Sequence, residues 1–384
     1  MNLHDEPQLA LTRPLRIGID GEALRQPLTG VGRYVFHVGR ALERLLPEAE
    51  FFAYARCPED ELALPSARWR ARIETSEMWR RLSSMAWVKW RSHAFIRQDR
   101  LDAYWAGRTL LPLLPRHVTT LSTVHDLSRW VLPESMQFEH RWAYRRWLNE
   151  DVRRAHHVVA NSNGTASRLR ELIGVQAPVV AHPGVDEHFA QPPGADESLL
   201  ADELRRRGVR KPYLVAVATW EPRKNLTRLL EAFVSLKRAG QLVGLQLALV
   251  GVHGWGTDER QALLDDAAEH GVVGTGYLPD ECMPALYRGA EALVVPSIYE
   301  GFGMPVAEAL SCGTRVVMSD LPELREAAQG RGIVVPPTVE GLRAGMLEAV
   351  ASPQPSAPDL AQPFCWTEAA RRLAPLLAGG RQPT

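Results

Sequence analysis

Cysteine is scarce. Cys57, Cys282, Cys312 and Cys365 are scattered over 384 residues with no C-x-x-C pair, which excludes a disulfide framework or a cysteine-built zinc site and fits a reducing compartment. No run approaches eighteen uncharged apolar residues, and the opening MNLHDEPQLALTRP lacks a charged-then-apolar leader pattern. Membrane spanning and secretion are therefore not expected, and the cytoplasm is. Net charge is missing too, with 45 Lys plus Arg against 45 Asp plus Glu. No chain-wide field attracts nucleic acid or membrane, so no nucleic-acid partner is expected and any membrane attraction must be local. There is no internal repeat of fixed period and no G-x-G-x-x-G after a strand, which argues against a dehydrogenase.

What is present is an ordinary globular composition, 45% hydrophobic and 23% charged, in a chain too long for one core. Short apolar runs alternate with helical patterns: LRIGID (15–20), FFAYA (51–55), LDAYWA (101–106), TTLSTV (119–124), HVVAN (157–161) and PVVAH (178–182). This is the pattern of an α/β fold with a parallel sheet. It breaks at QPPGADES (191–198) and restarts with YLVAVAT (213–219), LQLALVG (245–251), VVGTGYL (272–278), ALVVPS (292–297), TRVVMS (314–319) and GIVV (332–335). The expected organisation is a first domain over 1–190, a linker and connecting helix over 191–211, and a second domain over 212–365. A Pro-rich spacer, SPQPSAPDLAQP (352–363), precedes a final amphipathic helix, WTEAARRLAPLLA (366–378). Doubly wound sheets bind ligands beyond the carboxyl ends of their strands, so two facing sheets make a cleft.

The most informative segment is EGFGMPVAEALSCG (300–313), directly after ALVVPS. Gly301 and Gly303 permit unusual backbone, Pro305 suits a first helical turn, and the helix N-terminus beyond them favours anions such as phosphates. Glu300 and Glu308 by spacing alone read as solvated residues. Placed on a strand, glycine turn and helix start, they become candidates for binding vicinal hydroxyls. In VATWEPRKN (217–225), Arg223 and Lys224 follow a strand and open the helical run LTRLLEAFVSL. Cations in a first helical turn oppose the helix dipole, which predicts a nearby anion; each charge-assisted bond to a diphosphate contributes about 1.5–3 kcal/mol. TGVGRY (29–34) places Gly30 and Gly32 between a strand and a helix, and His125 with Asp126 ends the strand TTLSTV.

These four segments, in their order along the chain, resemble the retaining glycosyltransferases of family 4, which have the two-domain GT-B fold. The resemblance runs from about Arg16 to the terminal helix and implies two Rossmann-like domains facing across a cleft, the C-terminal helix crossing back onto the N-terminal domain. It implies a hexosyltransferase using a nucleoside-diphosphate sugar and a saccharide or lipid-linked acceptor. Glu300 and Glu308 match the family's E-x7-E signature, contacting donor sugar and nucleotide ribose. The loop of Gly301, Phe302, Gly303 and Met304, with Pro305, would bind sugar and phosphate. Arg223 and Lys224 match the diphosphate clamp, Gly30 and Gly32 the N-terminal loop lining the cleft, and His125 a histidine beside the reacting sugar. PGVDEHF (183–189) is similar to the family's N-G-V-D strand end, with Pro183 in place of asparagine. Many members carry Gly-Arg before the basic pair, where this chain has Ala218 and Thr219; Thr219 remains a donor-site candidate. No D-x-D occurs, so neither metal nor cofactor is expected. The E-P-R-K-N and T-G-V-G-R-Y variants resemble those of bacterial mannosyltransferases building O-antigen or exopolysaccharide, which favours GDP-mannose as donor.

One segment runs against the neutral average. From Ser66 to Gln98 eight Lys or Arg face two acidic residues, interleaved with Trp69, Trp79, Trp87 and Trp90. That composition suits an anionic membrane surface, at about 1 kcal/mol per basic residue, and predicts a peripheral location on the inner face of the cytoplasmic membrane. The competing readings are a nucleotide-sugar 2-epimerase on the same architecture and a non-catalytic nucleotide-sugar-binding subunit.

Overall fold

The computed structural model describes residues 13–132, 138–176, 178–192, 194, 197–251, 258–353 and 364–379. Parts of the linker at 191–198 and most of the spacer at 352–363 lie outside them.

Seven strands form the first sheet: β1 (Arg16–Asp20), β2 (Glu50–Ala55), β3 (Trp69–Ile73), β4 (Ala103–Ala106), β5 (Thr119–Val124), β6 (His157–Ala160) and β7 (Val179–Val180). Their order is β3-β2-β1-β4-β5-β6-β7, and every pairing is parallel. Six more form the second: β8 (Tyr213–Val217), β9 (Gln246–Val250), β10 (Val272–Gly276), β11 (Ala292–Val295), β12 (Val316–Ser319) and β13 (Ile333–Val335), in the order β10-β9-β8-β11-β12-β13, again all parallel. Strands buried on both faces need continuous apolar runs, and the central RIGID and ALVV runs supply them.

The sequence patterns miss β3, whose residues WRARI were read as part of the basic segment. It is an edge strand with only Trp69 fully buried. Its other side chains reach solvent at least in part, so it carries arginines along its length, whereas central β1 has one only at its half-buried first position. PVVAH contributes only the two residues of β7.

The helices that position the site are α1 (Gly30–Leu45), α2 (Ser84–Trp90), α3 (Asn163–Arg168), α4 (Leu226–Arg238), α5 (Met304–Ser311) and α6 (Trp366–Leu377). Helix α6, although last in the chain, completes the core of the first sheet. Its Trp366, Ala370, Leu373 and Leu377 join Val35, Val38 and Leu42 of α1 and Ile17 and Ile19 of β1 in one buried cluster. The chain crosses back at Gly184, where a Cβ would stand 2.3 Å from the Trp366 amide nitrogen.

In each sheet the strand order reverses once, between β1 and β4 and between β8 and β11. A crevice opens at such a point because the crossovers leave to opposite faces. Polar ties join the lobes: Glu326 accepts from the Asn163 amide on both oxygens at 2.9 Å, a carboxylate from one lobe capping α3 of the other.

Replacing Leu373 by Ala should lower the unfolding free energy by about 2–5 kcal/mol. Urea denaturation followed by tryptophan fluorescence measures it, and a change near zero would detach α6 from this core.

Candidate active site

The second sheet's crevice holds the strongest motif. Beyond β11 the chain runs through Ser297 and Glu300, turns at Gly301–Gly303 and enters α5, with Pro305 in its first turn. Gly303 adopts φ 110°, and a Cβ there would lie 2.7 Å from Leu324. Only glycine serves such a position without strain. At Gly301 the reason is different. A Cβ would sit 2.0 Å from the carbonyl oxygen of His125 in the other lobe, so the missing side chain is what lets the lobes meet. The Gly301 carbonyl accepts from Ser162 Oγ at 2.6 Å and Thr165 Oγ1 at 3.1 Å, and the Leu127 amide donates to Tyr299 Oη at 2.6 Å.

The side chain of Phe302 does not face the cleft. It packs edge-on against Phe364 with centroids 5.0 Å apart and belongs to the second lobe's core. An apolar ring flanked by two glycines buries where it can, which leaves only its backbone for a ligand. Met304 is half-buried and touches both cores.

Glu300 is 6% exposed. Its Oε1 accepts from Lys224 Nζ at 2.7 Å and Ser297 Oγ at 2.7 Å, and its Oε2 lies 3.2 Å from Arg223 Nη1. Burial alone would raise the Glu300 carboxyl, but the charges of Lys224 and then Arg223 outweigh it and hold the group below the usual carboxylate range. Arg223 also places Nε 2.6 Å from Glu221. The basic pair does not occupy a helix's first turn, as the spacing predicts. Pro222–Lys224 form a separate 3-10 turn, and Asn225 follows at φ 55° before α4 begins. The Asn225 side chain donates through Nδ2 to the carbonyls of Pro296 and Pro337, at 2.9 and 3.1 Å, and so ties this turn to the end of β11. The anion beside the cations is the protein's own Glu300. Thr219 stands exposed just past the end of β8.

Glu308, on α5 and 3% exposed, reaches across the seam. Its Oε1 lies 2.8 Å from Arg33 Nη1 and its Oε2 accepts from Tyr287 Oη at 3.2 Å. Arg33 pairs also with Asp186 at 3.2 Å and Asp280 at 3.7 Å, and Trp366 Nε1 donates to Asp186 at 2.8 Å. One guanidinium thus links α1, the segment after β7, and Glu308 of the other lobe. Arg33 lies inside TGVGRY, but the glycines drew the eye; Tyr287, twenty-one residues before Glu308, has no sequence signal. Gly30 and Gly32 sit in a helical turn, not in a loop, and their neighbours Thr29 and Val31 line the chamber between the lobes. Both lie in the first turn of α1, capped by Thr29, and Gly32 is needed because a Cβ would come 2.6 Å from the Ala23 carbonyl; around Gly30 there is open space.

His125 Nε2 is 2.8 Å from the Gly107 carbonyl, which can only accept, so Nε2 carries the proton. Desolvation lowers the ring's affinity for a second proton, partly opposed by this bond, and the imidazole is neutral near pH 7. Its neighbour Asp126 accepts from the Ser128 amide and hydroxyl through Oδ1, at 3.0 and 2.7 Å. His125, Asp126, Glu221 and Arg223 share the wall of one chamber of about 550 Å³ between the lobes.

The basic segment 66–98 is partly neutralised by acids that other elements bring to it. Arg68 pairs with Glu43, Arg70 with Glu50, Arg72 with Asp99 and Lys89 with Asp151, while Arg91 pairs with Glu74 inside the segment. Trp69 and Trp87 are core residues, and Trp87 donates to Glu74 at 3.1 Å. The surface excess is therefore smaller than the count along the chain, with Arg80, Arg81 and Arg97 left exposed. Met78 and Trp90 are 63% and 56% exposed. No helix among the described residues is long and apolar enough to cross a membrane.

Comparison with known proteins places this geometry. A family model described as glycosyltransferase family 4 matches residues 28–189, and one described as glycosyl transferases group 1 matches 202–362. The O-antigen chain mannosyltransferase B of Escherichia coli is 28% identical over 345 residues, covering 86% of this chain and 89% of that protein. The O-antigen chain mannosyltransferase RfbU of Salmonella typhimurium is 25% identical over 232 residues, covering 60% of this chain and 59% of its own length. Among solved structures, WaaG, a glycosyltransferase involved in lipopolysaccharide biosynthesis, superposes with a TM-score of 0.66 at 15% identity, covering 96% of this chain and 98% of that one. Anabaena HepE in complex with UDP-glucose gives 0.64 at 15% identity, covering 96% and 94%. With one model on each lobe and the two sheets meeting at the Glu300 turn, the chain belongs to the family 4 glycosyltransferases of the GT-B fold, in the subgroup similar to bacterial mannosyltransferases.

Proposed function

We propose that this glycosyltransferase moves mannose from GDP-mannose, with retention and without a metal, to a glycan or lipid-linked saccharide in surface polysaccharide synthesis. The observation that carries the reading is the convergence of Glu300, Lys224, Arg223 and the Gly301–Gly303 turn at the β8–β11 crevice. The mannosyl unit and the O-antigen setting are supported by the relatives' names.

Glu300 and Glu308 are held by cations and hydroxyl donors. Neither is a free nucleophile for double displacement. The reading is front-face transfer: the bond from the anomeric carbon to the phosphate oxygen breaks, and the acceptor oxygen bonds that carbon from the same side. The acceptor's proton leaves with the phosphate oxygen. Lys224 and Arg223 stabilise the charge growing on the diphosphate, which is where preorganised cations act most strongly. Glu300 orients them and accepts from sugar hydroxyls; Glu308, fixed by Arg33 and Tyr287, does so for the ribose. Neutral His125 and the Gly301–Met304 amides line the sugar's place. A 2-epimerase would turn over the donor without any acceptor, and a binding subunit would not turn it over at all, so a donor assay with and without acceptor separates the three readings.

Transfer should survive EDTA in the wild type and fall at least about tenfold in Lys224→Ala, as removal of one preorganised charge predicts; undiminished turnover in the variant, or EDTA inhibition reversed by manganese, would remove this mechanism. In a thermal-shift screen of UDP, GDP, ADP and dTDP, GDP should stabilise the chain most. Glu308→Gln should abolish that shift, and an unchanged one would free Glu308 from the ribose. We further propose peripheral contact with anionic lipid through Met78 and Trp90, flanked by the exposed Arg80, Arg81 and Arg97. Sedimentation with anionic liposomes at low salt should retain the wild type and release Trp90→Ala; no retention of the wild type would end that reading.

A further inference from the structure

Arg33 is a residue of the first lobe whose charge is taken up by the second. It stands near the start of α1 with its side chain 13% exposed, and two of its partners lie across the seam. Nη1 is 2.8 Å from Glu308 Oε1 on α5, and Nε is 3.7 Å from Asp280 in the turn after β10. On its own side, Nη2 is 3.2 Å from Asp186 Oδ2. Burial alone would loosen the guanidinium's proton, but the charges of Glu308, Asp280 and Asp186 reverse that and keep it ionised. Phe189 props the arrangement. Its buried ring lies 5.9 Å from the Arg33 guanidinium carbon and 6.1 Å from the ring of Tyr287, the other donor to Glu308.

What these partners leave over on Glu308 is specific. A carboxylate offers about four acceptor positions. Arg33 takes one on Oε1 and Tyr287 takes one on Oε2, so each oxygen keeps a place for a further donor, an arrangement that receives two neighbouring hydroxyls. Tyr287 is a neutral phenol, its proton held by burial and then by the charge of Glu308, so it supplies a hydrogen bond without a charge. Among the described residues Arg33 is the only cation within 4.0 Å of Glu308. A buried carboxylate deprived of its cation is strongly destabilised and turns toward other donors or water. The direction of Glu308 therefore depends on the lobe to which it does not belong.

We propose that Arg33 is a positioning residue for the nucleotide: from the first lobe it aims Glu308 at the ribose 2′- and 3′-hydroxyls, so that preference for ribose over a deoxy sugar is made by the two lobes together. This rests on the reading of Glu308 as the ribose acceptor and adds to it the residue that sets its direction. Arg33 acts through Glu308 and contacts neither the base nor the diphosphate.

Calorimetric titration of the full chain tests this with GDP, UDP and ADP, each beside its 2′,3′-dideoxy form. For the nucleotide that binds, the wild type should favour the ribose form by at least about tenfold, since two hydrogen bonds to a charged acceptor are at stake. Arg33→Gln, which removes the charge, should bring that ratio below about threefold and leave affinity for the dideoxy form within about twofold of the wild type. Arg33→Lys, whose single ammonium lacks the fork that serves Glu308 and Asp186 together, should give a ratio between the two, and it carries the test if thermal melting shows Arg33→Gln unfolded. Asn163→Ala, which cuts a side-chain bond to Glu326 elsewhere on the seam, should keep the full ratio. An undiminished ratio in the Arg33 variants, or an equal fall in Asn163→Ala, overturns the proposal. A wild type with no ribose preference takes Glu308 off the ribose, and the proposal with it. The same pattern shown with UDP or ADP in place of GDP upholds the proposal and defeats the choice of guanine alone.

Discussion

The closeness of two backbones governs this molecule. The carbonyl of His125, at the end of a strand in one lobe, approaches Gly301 of the other so tightly that a methyl group could not stand between them. The same glycine's carbonyl is taken by two hydroxyls of the first lobe, at Ser162 and Thr165. This contact brings the crevices of two separate sheets to one place. It sets Asp126 beside Arg223, and it gives Glu308 a partner in Arg33. A side chain at position 301 would disturb all of these together, since none of them is made within a single lobe.

Two buried charge clusters lie at that seam, one made within the second lobe and one across it. Each signature glutamate is buried, and each is stabilised by cations the fold delivers: Glu300 by Lys224 and Arg223 from the turn after β8, Glu308 by Arg33 from α1. A buried carboxylate without such partners would cost several kcal/mol and would protonate instead. The pairs therefore serve the fold while keeping charged groups dry at the place proposed for the diphosphate. Dry, fixed charges act on a developing anion far more strongly than solvated ones. Stability and the proposed chemistry here draw on the same contacts.

Much of this was legible along the chain. The alternation of apolar runs with helical patterns marked both sheets, because strands covered on two faces cannot hide their composition. The donor-side residues lay in compact motifs, since a strand end, a turn and a helix start are local events. The edge strand β3 was not legible, because its exposed side chains tolerate arginine. Nor was the partial neutralisation of the segment 66–98: Glu43, Glu50, Asp99 and Asp151, which pair with Arg68, Arg70, Arg72 and Lys89, come from outside it. A charge count within a window cannot see neutralisation from another element.

The amino-acid sequence by itself determined the α/β class, the repetition of the sheet, and the identity of the residues around Glu300, because periodicity and turn chemistry act over a few neighbours. Only the tertiary structure decided which charges remain uncompensated and which glycines serve packing rather than access. It alone placed Arg33 and Glu308, 275 residues apart, in one charge pair across the seam. Those outcomes depend on distances across the fold, and a hydrogen bond or an ion pair is indifferent to how much chain separates its partners.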